Sequence, residues 1–193
     1  SMDREDHGNW TGGRAGRGAL KGTKYGISAA AYPFEDIRNL TLERAKEIYR
    51  RDYWDEVKAG DLNSGIDLVV FDLAVNGGVR RAATLLQKSV YVPVDGKIGP
   101  ITLYAANNTE PDLVIDRICD LRLAEMKTFS NWDEYGKGWT TRVTKIRATA
   151  KTWALIAKPP RPPDDPGLDS PEAPPSGLSW WRRLISNLFY RSE

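Results

Sequence analysis

The chain has one cysteine and one histidine among its 193 residues. A single thiol, Cys119, cannot close an internal disulfide, and one residue of each kind is too few for a dedicated zinc site. No metal and no cofactor is expected. No apolar run approaches the roughly 20 residues that a membrane-spanning helix needs. A dominant charge is also lacking: 28 Lys and Arg face 26 Asp and Glu, and a net +2 does not by itself imply a nucleic-acid partner. No secretory signal peptide is visible, and Ser1–Met2 reads as a cloning remnant ahead of the native start. Present instead are 40% apolar residues and seven tryptophans, enough for one domain with a real core, followed by a tail.

The chain is organised around Ser64–Gly78, SGIDLVVFDLAVNGG. Ile66, Leu68, Val69, Val70, Phe71, Leu73, Ala74 and Val75 leave almost no polar face, and an element apolar all round is buried all round. Periodicity alone fits a strand or a helix here. The ends favour a helix, with Ser64 and Asp67 as a capping box and Gly77–Gly78 as a left-handed stop. Asp72 and Asn76 then share one narrow polar stripe. A buried carboxylate is costly unless paired, so Asp72 has a partner elsewhere or lines a wet cleft.

Residues 3–26 carry Gly8, Gly12, Gly13, Gly16, Gly18, Gly22 and Gly26 and read as a surface loop. They lack the strand-then-helix context of a phosphate-binding loop. Residues 41–57 read as an amphipathic helix capped by Thr41. Leu42, Ala45, Ile48, Tyr49 and Tyr53 form one face, and Glu43, Arg44, Lys46, Glu47, Arg50 and Arg51 turn to water. Tyr53 and Trp54 are either core edge or platforms for a pyranose ring. Val79–Ser89 is a further helix with Ala82, Ala83, Leu85 and Leu86 inward. Asp95-Gly96 marks a turn, and Pro100 opens a helix to Asn107.

Residues 112–129 form a helix whose apolar stripe contains Arg122, either snorkelling or held by a buried carboxylate. Helical phase names Asp72 as first partner and Glu125 as second. Lys137–Lys158 carries a core-facing seam of Trp139, Val143, Ile146, Ala150, Trp153 and Ala157. Its outer surface shows Arg142, Lys145, Arg147, Lys151 and Lys158 with no acid among them. Such a strip is a solvated face or meets an anionic polymer. No recognisable nucleic-acid module accompanies it, so nucleic acid is not expected as a partner.

From Pro159 the composition changes. Residues 159–177 hold eight prolines and read as an extended linker. Leu178–Tyr190 then forms an amphipathic tail helix, with Trp180, Trp181, Leu184, Ile185, Leu188 and Phe189 on one half and Arg182 and Arg183 on the other. A tethered helix of this kind lies on an anionic membrane surface or docks onto protein.

Several stretches together resemble the phage-type muramidases of glycoside hydrolase family 108, which include endolysins and secretion-activator proteins. They are GNWTGG at 8–13, KGTKYGIS at 21–28, LTLERAKEIYRRDYW at 40–54, FDLAVNGG at 71–78, DGKIGPIT at 95–102 and YGKGWTTRV at 135–143. The resemblance implies an all-α, lysozyme-like compact helical domain. A muramidase-like portion would cover residues 3–78 and a peptidoglycan-binding helical portion residues 79–158. The implied partner is bacterial peptidoglycan at the periplasm or cell wall, cut between N-acetylmuramic acid and N-acetylglucosamine, by a bacterial or phage-encoded protein.

The resemblance also implies site residues. Asp6 matches an acidic position before the family's glycines, and Thr23 a family threonine, both as supporting groups at the cleft. Tyr25, Tyr53, Trp54 and Asn76 complete the candidate substrate-binding set, with Asp72 and Arg122 as a structural polar pair. Family members carry their acid in a helix ending in Glu-Gly-Gly shortly before the position of Asp6. This sequence starts at Asp3 without it, so the catalytic residue is unassigned: an upstream segment has been removed, the gene lacks the acid, or a partner supplies it. Glu5 and Asp6 are poor substitutes, because a solvated, basic-flanked stretch lowers a carboxyl pKa. Glycoside hydrolysis needs it raised. The expectation is a muramidase with weak turnover or a silent relative that holds glycan. A missing first helix would also leave an apolar patch on the central helix and invite self-association.

Overall fold

The structure, a computed structural model, describes residues 22–157. Asp6, the glycines before residue 22, Lys158, the linker at 159–177 and the tail helix expected at 178–190 lie outside the described residues. Among the described residues there are six α-helices and one two-stranded ribbon, the all-α class expected. They fall into two compact units, residues 22–49 and 50–157.

In the first unit β1 (Thr23–Lys24) and β2 (Ile27–Ser28) pair antiparallel, with Thr23 opposite Ser28. Tyr25 and Gly26 turn between them at φ 53° and 74°, the double left-handed pattern of a two-residue hairpin loop. A tyrosine is strained there. The Tyr49 hydroxyl donates to the Tyr25 carbonyl at 3.1 Å and holds the turn. α1 (Leu42–Tyr49) starts as its sequence suggests: Thr41 Oγ1 accepts from the Arg44 amide at 3.1 Å, and Ala45, Ile48 and Tyr49 are buried.

The helix expected over 41–57 changes character at residue 50. Arg50–Trp54 forms a π-helical turn in which the Asp55 amide reaches back five residues to the Arg50 carbonyl at 2.8 Å. One extra residue in a turn rotates the next side chains about the helix axis, and burial passes to Trp54.

The second unit is built on α2 (Ile66–Gly77), which packs against α3 (Val79–Ser89), α5 (Pro111–Met126) and α6 (Trp132–Ala157). The short α4 (Pro100–Asn107) packs on α3 and α5. Ile66 and every residue from Leu68 to Ala74 are at most 1% exposed. The face of the central helix on which an exposed apolar patch is expected is therefore buried.

Two other local expectations are corrected. Ser64 does not cap α2: Gly65 is the N-cap at φ 89°, and Asp67 turns back so that its Oδ1 accepts from the amides of Gly65 at 2.7 Å and Leu68 at 2.6 Å. Packing is the reason, since a Cβ on Gly65 would stand 2.4 Å from the Ala150 carbonyl oxygen. α6 begins at Trp132, five residues before the start expected at Lys137. Gly136 is tolerated inside it because the Trp132 indole fills its place, with a Cβ there falling 2.7 Å from the ring.

Candidate functional site

Asp72 is the polar centre of the second unit and has no exposed surface. Arg122 Nη1, from α5, donates to Asp72 Oδ2 at 2.6 Å, and Arg142 Nη2, from α6, donates to Oδ1 at 2.5 Å. The Arg122 side chain is 1% exposed and that of Arg142 30%. Glu125 binds Arg81 instead, at 3.1 Å. Two guanidiniums thus share the Asp72 carboxylate at the junction of the three helices.

Asn76, one turn after Asp72, is exposed. Its Nδ2 donates to the Asp72 carbonyl at 2.7 Å and lies 3.4 Å from Oδ1. Both neighbours are acceptors, so the amide is assigned with its NH2 inward and its oxygen outward.

The basic strip read on α6 is matched by acids from another helix. Lys151 pairs with Asp116 at 2.6 Å, and Arg147 with Asp116 at 3.5 Å and with Asp120. Arg142 turns in to Asp72. Charges read along one helix omit those of its neighbour, and α5 supplies the acids.

Thr23 and Tyr25 belong to the first unit and are both half-buried. Thr23 Oγ1 is enclosed with no hydrogen-bond partner among the described residues. Lys24 Nζ lies 5.5 Å from the Tyr25 ring centre. In the second unit Trp54 is 9% exposed and meets Phe71 edge-on at 5.5 Å, so its ring serves the core, while Tyr53 is half-buried. Within the second unit the fold gathers Asp72, Asn76 and Arg122 and adds Arg142; within the first, Thr23 and Tyr25 are neighbours on the hairpin.

The start of α6 carries an aromatic cluster. Trp139 stacks with Tyr135 at 5.9 Å, takes Phe129 edge-on at 5.9 Å and has Trp132 tilted at 6.2 Å. An open pocket of about 410 Å³ beside it is lined by Trp132, Asp133, Gly136, Lys137, Thr140 and Thr141. The two threonine hydroxyls donate to the backbone carbonyls of Gly136 and Lys137.

Three more groups bear on chemistry, the half-buried Asp67 and the buried Cys119 and Gln87. Asp67 is pushed up to about 7 by burial, against the lowering effect of its two amide donors. That is the range a proton-donating carboxyl needs, but Oδ1 is engaged as a helix cap. Burial likewise raises the Cys119 thiol to about 11, which makes it inert. Gln87 Nε2 donates to Asp95 Oδ1 at 2.7 Å and the Lys97 carbonyl at 2.9 Å, and Oε1 accepts from the amides of Asp95 and Gly96 at 3.1 and 2.9 Å. Among the described residues no group of His, Cys, Asp and Glu is placed to hold a metal ion.

Sequence reading missed Arg142 and Gln87. The signal for Gln87 was its phase: it stands four residues after Ala83 on the inner face of α3. The signal for Arg142 was its place beside Val143 and three residues after Trp139, at the edge of the core seam.

The family model described as Glycosyl hydrolase 108 matches residues 1–78. Among solved structures, SagA of Brucella abortus is similar to this chain at 37% identity and a TM-score of 0.64, over 69% of this chain and 82% of that one. No curated protein matches. On the extent of that likeness and the family model together, the chain belongs to the glycosyl hydrolase 108 family.

Proposed function

We propose that the chain holds the glycan strand of bacterial peptidoglycan as a muramidase-type protein, and that these 193 residues bind it with weak or no turnover. Family membership supports the substrate. What supports the second half is the place of Asp67: this carboxyl, raised to about 7, stands at the start of α2, where its Oδ1 accepts from the Gly65 and Leu68 amides, and helix capping accounts for it without a role in proton donation. In this reading Thr23 and Tyr25 are candidate substrate contacts of the first unit and Tyr53 and Asn76 of the second, and the protein acts at the cell wall. The 178–190 segment holds it to an anionic membrane surface, a role supported by the segment's amphipathic sequence.

Dye release from purified, dye-labelled peptidoglycan tests turnover, and co-sedimentation with the same material tests binding. Binding without release is expected. Robust release overturns the silent half of the proposal, and absence of both overturns the whole. For the tail, partitioning onto anionic vesicles with and without residues 178–193 is the comparison, and equal partitioning removes the tether.

A further inference from the structure

We infer that Arg142 is a positioning residue, fixing the Asn76 amide through the Asp72 carboxylate so that the amide oxygen faces outward as an acceptor for a glycan N–H or hydroxyl. The identity of the ligand rests on the glycan-binding reading above; the geometry does not. An exposed asparagine ordinarily rotates and flips its amide freely. Asn76 is exposed, yet its NH2 is held by two acceptors of one residue, the Asp72 carbonyl at 2.7 Å and Oδ1 at 3.4 Å. Oδ1 is also the oxygen that Arg142 takes at 2.5 Å, while Oδ2 is taken by Arg122 at 2.6 Å.

Each carboxylate oxygen therefore has its own guanidinium, and the pair fixes the carboxylate plane. Arg122, 1% exposed, already neutralises Asp72. At Asp72, Arg142 adds a hold on the one oxygen that faces Asn76. It is also the arginine of the two that reaches the surface, at 30% exposure. With the NH2 committed inward, the amide oxygen is left to accept from a ligand, and a glycan's N-acetyl N–H and hydroxyls are donors of that kind.

The test uses the full chain, with Asn76→Ala, Arg142→Lys, Arg142→Met and each arginine variant combined with Asn76→Ala. The Asn76 side-chain NH2 signals in a nitrogen–proton NMR spectrum are identified by their loss in Asn76→Ala. Arg142→Lys and Arg142→Met are expected to shift them and speed their exchange with water. Unchanged signals overturn the inference, whatever happens to glycan. In co-sedimentation with purified peptidoglycan, Asn76→Ala is expected to weaken binding about 3- to 10-fold, the worth of one hydrogen bond, with the unfolding midpoint held. The arginine variants should weaken it in the native background and have no further effect beside Asn76→Ala. Equal losses in both backgrounds make Arg142 a stability residue only and overturn the inference. If the unaltered chain fails to bind peptidoglycan, the functional proposal falls and the NMR result alone decides the positioning role.

Discussion

Gly65 and Ala150 meet backbone to backbone: a Cβ on the glycine would lie 2.4 Å from the alanine's carbonyl oxygen. Gly65 also holds φ 89°, where an L side chain is strained. Gly65→Ala should therefore lower stability by roughly 2–4 kcal/mol by forcing α2 away from α6. Urea denaturation of the variant checks this, and a loss within experimental error would mean that the two helices can separate without cost.

The Asp72 ion pairs predict unequal losses. Asp72→Ala strands Arg122 in the core without a counter-charge and should cost about 3–5 kcal/mol. Arg142→Met leaves Asp72 paired with Arg122 and should cost less. Combining Asp72→Leu with Arg122→Met should recover part of the loss, because the core then buries no charge. Denaturation midpoints of these three variants decide, and equal losses for Asp72→Ala and Arg142→Met would count against the geometry.

Asp67 predicts a pH dependence of definite sign. Its folded-state pKa of about 7 lies above the ordinary 3.8, so the folded state favours the protonated acid. The stability it contributes is fully present below the ordinary value and is lost as pH rises toward 7. Asp67→Asn keeps an oxygen for the two amides and has no charge to bury. It should match the native chain near pH 4 and exceed it at pH 8, by at most ~4 kcal/mol. Unfolding at pH 4, 6 and 8 reads this directly; an advantage that shrinks as pH rises would refute it.

Gln87 ties the turn at 95–97 to α3. Gln87→Leu leaves the amides of Asp95 and Gly96 without their acceptor and should cost about 2 kcal/mol. Those two amides should exchange with deuterium faster. The Asp95 carboxyl, held below the usual range first by the Gln87 amide and then by the Lys97 backbone, should move back up in an NMR titration. Unaltered exchange at both amides would show that the turn stands without Gln87.

The acids opposite α6 predict a change in polyanion binding. With Asp116 and Asp120 pairing Arg147 and Lys151, the native chain should leave a heparin column at low salt. Asp116→Asn with Asp120→Asn should delay elution, while stability changes by under about 1 kcal/mol because the pairs are partly exposed. Identical elution would mean that the strip is not masked.

The helices were readable where one face repeats: Val79–Ser89 and Pro100–Asn107 have the bounds that their apolar phase and opening proline suggest. Ends were less readable. Ser64 looked like a cap, but the cap position is set by how close α2 comes to Ala150, a residue 85 positions along the chain. The π turn at Arg50–Trp54, which ends on the buried Trp54, has no local signature either.

The all-α class came with the family resemblance; from the residues alone came the buried nature of the apolar stretch within Ser64–Gly78 and the need of Asp72 for a cation, because burial of an apolar cylinder and the cost of a lone buried charge are properties of the segment itself. Only the assembled helices decided that two arginines answer that need and that Asp116 and Asp120 cancel the strip on α6. Those outcomes depend on distances between elements far apart in the chain, and Coulomb forces and hydrogen bonds act over distance in space, whatever the separation in sequence.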